Sequence, residues 1–247
     1  MIPIKTKEEI ELMRIAGKKL AGVVNRIKKE IKPGITTAEI DELAEVLIEK
    51  TGGLPAFKGY RGFPSNACVS VNEEIVHGIP GKRILKDKDI VSIDLGLKID
   101  GYFSDAAFTM ALGKVSAEIK KLIEVTKKAL DLGINKARAN NYLFDISYSI
   151  QNFVEANGFS VVRDFVGHGI GKRMHEDPEV PNFGIPKTGP KLEVGMVLAI
   201  EPMVNVGSWE VDILENGWTA VTRDRRPSAH FEHTIAITEK GPEILTQ

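Results

Sequence analysis

The chain has 247 residues, 43% of them hydrophobic and 27% charged, with a formal net charge of −1. That length is within the range of one large domain, and the composition suits a protein able to bury a sizeable core. The near-zero balance excludes a global electrostatic pull toward nucleic acid or a membrane surface, and no apolar run approaches the roughly 20 residues that span a bilayer.

The single cysteine, Cys68, rules out an internal disulfide and fits a reducing compartment. The first stretch, MIPIKTKEEIELM, carries charge where a signal peptide needs an apolar run, so a cytoplasmic protein is expected. Thr6 with Glu9 makes a capping-box pattern that opens a helix with the apolar stripe Ile10, Met13, Leu20, Val24 and Ile27. Pro33-Gly34 breaks it, and Thr36 with Glu39 caps a second helix carrying Ile40, Leu43 and Leu47. Short strands follow through residue 113. A second round starts near Ser116, with Ile119, Leu122, Ile123, Ala129 and Leu130 on one helix face. A fourth helix carries Ile146, Ile150, Phe153 and Val154 and is closed by Asn157-Gly158, after which strands and turns fill the remainder. Helix, helix, strands thus occurs twice. The expected organisation is one catalytic domain, 1–247, with pseudo-symmetric halves at approximately 1–113 and 114–247.

Within the first half, VSIDLGLKIDGYFSDAAFTM (91–110) reads as a hairpin: Val91, Ile93, Leu95, Leu97 and Ile99 alternate, Asp100-Gly101 supplies the turn, and Tyr102, Phe103 and Phe108 resume. Each strand carries an aspartate, a residue that strands disfavour. With a two-residue turn Gly96 faces Asp105, and Asp94, Gly96 and Asp105 share one face. Asp94 and Asp105 are then diagonal neighbours, with Cβ atoms roughly 7–8 Å apart or less. Two such carboxylates repel unless a cation sits between them. On the hairpin alone, a solvated sheet face and a metal site explain the pair equally well.

The second half adds more residues out of place. VGHGIGKRMHED puts His168 and His175 in a Gly-rich segment, MVLAIEPMVNV is an apolar strand run interrupted by Glu201, and AHFEHTIAIT has Glu232 among β-formers. Each has a bland account by itself: a hydrogen-bonded loop histidine, or an edge strand beside Pro202. Four carboxylates in apolar strands together carry a large burial penalty, and a bound cation removes it. Asp94, Asp105, Glu201 and Glu232 offer oxygens and His168 a nitrogen. Without a cysteine cluster this is no structural zinc site, and a carboxylate set with imidazole suits a pair of Mn, Fe, Co or Zn ions better than a calcium cage. Paired metals of this kind serve hydrolases. His77 and His175 then stand close by as acids or hydrogen-bond donors.

Taken together, VNEEIVHGIPG, IVSIDLG, FSDAAFT, VGHGIG…MHEDP, AIEPMV and FEHTIAIT resemble the type I methionine aminopeptidases of the pita-bread metallopeptidase group, in order and over essentially the whole chain. The resemblance implies an α+β pita-bread fold: a curved antiparallel sheet backed by helices, two pseudo-twofold-related halves, and two divalent metal ions on the concave face. It implies that Asp94, Asp105, His168, Glu201 and Glu232 bind the metals. In the same way Glu201 doubles as proton shuttle, His77 contacts the substrate amide region and His175 polarises the scissile carbonyl. FKGYRGFPSNAC resembles the segment lining a methionine pocket, implicating Tyr60, Phe63 and Cys68, with Trp218 from elsewhere; Met174 stands where many relatives carry Phe. The implied substrates are N-termini of nascent polypeptides and peptides with a small second residue, acted on by a monomer without nucleic acid or membrane. VGSWEVDILENG is acidic where ribosome docking would call for lysines. The alternatives are an X-prolyl aminopeptidase or dipeptidase of the same fold, usually preceded by a further domain, and a non-catalytic protein that keeps the fold.

Overall fold

The computed structural model describes residues 1–247. Helix α1 (Lys7–Glu30) starts on the capping box, with Glu9 N–H on the Thr6 hydroxyl and Thr6 N–H on the Glu9 carboxylate. Thr36 and Glu39 repeat the device at α2 (Thr37–Glu49), satisfying amides that a helix start leaves without intrahelical partners. There follow β1 (Leu54–Pro55), β2 (Ala67–Val71), β3 (Glu74–Val76), β4 (Ile90–Ile99) and β5 (Tyr102–Ala111). The second round comprises α3 (Ala117–Lys136), capped by Ser116, α4 (Leu143–Ala156), β6 (Ser160–Val161), β7 (Gly167–Gly169), β8 (Glu176–Val180), β9 (Val197–Ile200) and β10 (Met203–Asn205). It ends with β11 (Val211–Ile213), β12 (Ala220–Thr222), β13 (Ser228–His230), β14 (His233–Thr238) and β15 (Gly241–Ile244). No helix is long and apolar enough to cross a membrane.

All strand pairs are antiparallel. Strand β4 pairs with β1, β2 and β5; the other sheets run β15-β14-β9-β7-β8, β13-β10-β6 and β11-β12-β3. The β4–β5 hairpin closes as its sequence requires: Ile99 pairs with Tyr102, and Asp100 and Gly101 both take positive φ, +50° and +83°, the conformation of a tight primed turn.

Strand parity then sorts the side chains between two layers. Val91, Ile93, Leu95 and Leu97 of β4, with Ala106 and Phe108 of β5, join Leu20, Val24 and Ile27 of α1 and Ile40, Ala44 and Ile48 of α2 in one core. Leu198 and Ile200 of β9 and Ile235 and Ile237 of β14 do the same with Leu122 and Leu130 of α3 and Ile146 and Ile150 of α4. Each fully buried aliphatic contributes about 1.5–3 kcal/mol, so the parity is strongly specified. The alternate residues, Asp94, Gly96, Asp105, Ala199 and Thr234, face away from the helices.

The two halves meet along β5 and the β13–β14 strand pair. Glu232 N–H donates to Ala107 O at 2.9 Å. On one side of this bond the Thr109 hydroxyl bridges the His230 carbonyl and amide at 2.7 and 2.8 Å; on the other, the Thr234 hydroxyl bridges the Asp105 carbonyl and amide at 2.8 and 3.0 Å. The two threonines, one from each half, act alike.

The strand run is interrupted at Glu201, as its sequence indicates, between β9 and β10; Glu232, expected within a strand, instead also lies in a break, between β13 and β14. Ile200 pairs with His233 and Met203 with His230, the same register on both sides of the break, so Glu201 lies opposite Glu232. Pro202 cannot donate to a ladder, which accounts for the interruption.

Candidate metal centre and active site

The β4–β5 register pairs Gly96 with Asp105 and Asp94 with Ala107, so both aspartates project from the face turned away from the helices. His168 pairs with Ala199 on β9, and its ring reaches the same place. One ligand atom from each of Asp105, His168 and Glu232 lies within 4.8 Å of the others. His168 Nε2 is 3.8 Å from Asp105 Oδ2 and 3.7 Å from Glu201 Oε1. Asp94 joins the cluster beside Asp105 and Glu201.

No hydrogen-bond partner meets Asp94 Oδ1, Asp105 Oδ1 or Glu232 Oε1, although all three atoms are buried. Unpartnered buried carboxylate oxygens are rare and costly. Burial pushes the Asp94 carboxyl up to about 7 and Glu201 up to about 8. Burial, and then the neighbouring carboxylates, push Asp105 and Glu232 well above the usual range. Such a cluster is short of positive charge, and its oxygens with one imidazole suit a divalent transition metal.

The histidines differ in what their second nitrogen meets. His168 Nδ1 is 2.9 Å from the Gly169 carbonyl. A carbonyl only accepts, so Nδ1 carries the hydrogen and Nε2 presents a lone pair to the carboxylates, the arrangement of a metal-ligating histidine. His175 Nδ1 is 2.7 Å from the Tyr60 hydroxyl, and its ring centroid is 4.2 Å from that of His168. His77 meets Phe165 and Trp218 edge-on, at 5.2 and 6.4 Å between centroids. Burial lowers His77 to about 4, with His230 and His175 adding to the effect.

Beside the cluster is a slot of about 150 Å³ walled by Phe57, Tyr60, Phe63, Cys68, Met174 and Trp218. Cys68 pairs with Asp94 across β2 and β4, which seats the slot against the carboxylates. Phe63 and Trp218 meet edge to face at 5.2 Å. A cleft of about 540 Å³ opens on the other side, and Asp94, His168, His175, Glu201 and His77 line both. Every residue singled out in the sequence therefore lies at this junction or walls the slot.

Two neighbours were not singled out. Phe57 enters the slot because Gly96 gives it room; a Cβ on Gly96 would come within 2.6 Å of its ring. No sequence signal foretells that approach. His230 is 1% exposed, with Nε2 unpartnered and 3.4 Å from Glu201 Oε2. Its signal was available, since it precedes Glu232 by two residues and period two puts both on one face.

A model of metallopeptidase family M24 matches residues 11–239. The chain belongs to metallopeptidase family M24. It is similar to the methionine aminopeptidase of Clostridium perfringens, 58% identical over 246 residues that cover 100% of this chain and 99% of that one. The crystal structure of methionine aminopeptidase from Thermotoga maritima has a TM-score of 0.98 and 49% identity, covering 100% of both chains. Prolidase from Pyrococcus furiosus has a TM-score of 0.80 at 24% identity, covering 99% of this chain and 65% of that one, a likeness of fold alone. The α+β pita-bread fold expected from the sequence is borne out, and membership of a metallopeptidase family accounts for the carboxylates that lack partners.

Proposed function

We propose that this M24 chain is a methionine aminopeptidase that removes the N-terminal methionine from peptides and newly made polypeptides with a small second residue. One observation carries the reading beyond the family likeness: the carboxylate cluster lies where a slot with an aromatic and sulfur-lined wall meets a larger cleft. A first side chain in the slot brings the first peptide bond to the cluster, and the remaining chain leaves by the cleft. Methionine suits the slot, because its polarisable sulfur packs well on ring edges such as those of Phe63 and Trp218.

Asp94, Asp105, His168, Glu201 and Glu232 would hold two divalent ions, with Co, Mn, Fe and Zn all fitting the donor set. When bound, such ions acidify water and offset the negative charge that develops on the scissile carbonyl oxygen. His175 donates a hydrogen bond to that oxygen, and Glu201 carries a proton to the leaving amine. His77, held between aromatic rings, contacts the substrate amide. A bulky second side chain would lift the carbonyl away from these groups, and a shift of about 1 Å can lower the rate roughly 10²-fold.

Asp94 and Asp105 come from the first half of the chain and His168, Glu201 and Glu232 from the second, which supports one catalytic domain. A single chain supplies every residue named, so a monomer suffices. Protein stripped with a chelator should be inactive on Met-Ala-Ser and recover on addition of a single divalent metal, with Leu-Ala-Ser cut more slowly throughout. Undiminished cleavage by the stripped protein would overturn the metal-dependent reading.

A further inference from the structure

His175 and its partner are anchored independently. The 59–63 turn that carries Tyr60 is tied by its own backbone: Gly59 N–H donates to Phe63 O at 2.8 Å, Tyr60 N–H to Phe57 O at 2.9 Å and Phe63 N–H to Tyr60 O at 2.9 Å. Gly59, Arg61 and Gly62 take positive φ to make it. On the other side, Glu176, next to His175, accepts from Lys5 Nζ at 2.6 Å and from Arg173 N–H at 3.1 Å; both side chains of the Lys5–Glu176 pair are buried. Between these two anchored segments the Tyr60 and His175 rings stack at 5.2 Å and 25°, with the hydroxyl 2.7 Å from Nδ1. The hydroxyl has no other hydrogen-bond partner.

We propose that Tyr60 is a positioning residue for His175: its hydroxyl donates to Nδ1 and so holds the ring's hydrogen on Nε2. A phenol is the stronger donor of the two orientations, because its oxygen lone pair is delocalised into the ring. A neutral imidazole has one hydrogen to place, and with the phenol donating to Nδ1 that hydrogen sits on Nε2. The contrast with His168 is direct. There Nδ1 meets an acceptor, so Nε2 becomes a lone-pair donor to metal; here Nδ1 meets a donor, so Nε2 becomes an N–H. Two neighbouring histidines thereby take opposite tautomers, each suited to its task. The inference rests on the reading of His175 as donor to the scissile carbonyl, and it adds a second role to a residue otherwise assigned to the slot wall.

Tyr60→Phe removes one oxygen and keeps the stack. In zinc-loaded protein labelled with ¹⁵N-histidine, wild-type His175 should show an acceptor-type Nδ1 and a protonated Nε2, and Tyr60→Phe should show a mixture of tautomers. On Met-Ala-Ser, kcat should fall roughly 3- to 10-fold, the loss of one neutral hydrogen bond, with KM moved less than twofold and zinc content unchanged. A wild-type Nδ1–H signal, or a variant with wild-type tautomer and kcat, would overturn the proposal. So would a rise in KM at constant kcat, which marks Tyr60 as slot wall only. A His175→Ala variant with wild-type kcat would remove the carbonyl-donor reading itself, and the tautomer claim then stands or falls on the resonances.

Discussion

Replacing Asp105 by Asn should stabilise the metal-free protein while removing the stabilisation that metal provides. The side chain is 6% exposed, and its Oδ1 has no partner. The Asp105 amide and carbonyl are held by the Thr234 hydroxyl, so the strand keeps its anchor. An amide has the shape of the carboxylate but needs no proton. The amide carries no charge and its N–H groups can donate to the neighbouring Asp94 and Glu201 carboxylates, a gain of about 1–3 kcal/mol. Burial and the neighbouring carboxylates raise the Asp105 carboxyl well above its usual range, so its charged form is disfavoured more in the folded chain than in the unfolded one, which gives the same sign. For a chain of this length a kilocalorie moves Tm by about 2–4 °C, so Asp105→Asn in chelator should melt about 2–12 °C above wild type. At a metal concentration 100-fold above Kd the wild type should gain about 2.7 kcal/mol per site, and the variant little. Thermal melts at pH 7.5, with chelator and with zinc, read both effects, and elemental analysis reads the bound metal. A variant that is less stable than wild type in chelator, yet gains as much from zinc, would refute the reasoning.

His168→Ala should lose bound metal, because its Nε2 lone pair is aimed at Asp105 and Glu201, whereas His175→Ala should keep metal and lower kcat by about 10²- to 10³-fold, as for loss of an oxyanion donor; equal metal loss in both would reverse the assignment. Metal-free protein should lose stability as pH rises. The folded carboxyls of Asp94 and Glu201, raised to about 7 and about 8, bind protons that the unfolded chain releases near pH 4, so the stabilisation is complete below about 4 and lost as pH passes through 7 and 8. Denaturant midpoints in chelator should therefore fall between pH 5 and 8, and added metal should flatten the slope; a midpoint that rises with pH would contradict the burial argument.

Much of this architecture is local chemistry and so can be read directly. The capping boxes at Thr6 and Thr36 and the Asp100-Gly101 turn each depend on residues a few positions apart, and the turn alone put Asp94, Gly96 and Asp105 on one face. The breaks at Glu201 and Glu232 were harder to see. A proline beside a glutamate in an apolar run reads as the end of a strand, and only the shared register on both sides reveals that the ladder resumes and sets the two carboxylates opposite each other. The threonine bridges at Thr109 and Thr234 join residues more than 100 positions apart, beyond any local pattern. Phe57 was invisible for the same reason, since its place depends on space left by Gly96 across the sheet. His230 was legible by strand period and went unremarked, because a histidine beside a candidate glutamate has many ordinary uses.

The central claim is that the slot takes a first methionine and the cluster cuts the bond after it. Metal-loaded protein at one fixed concentration, given Met-Ala-Ser, Met-Leu-Ser, Leu-Ala-Ser and Ala-Pro-Ser together and followed by mass spectrometry, tests it most directly. Free methionine should appear first and fastest from Met-Ala-Ser, Met-Leu-Ser should stall, and Leu-Ala-Ser should be slow but not excluded, because an apolar slot discriminates between related side chains by only about 1–3 kcal/mol. Preferential release of alanine from Ala-Pro-Ser would contradict the account and assign the chain to the X-prolyl enzymes that share its fold.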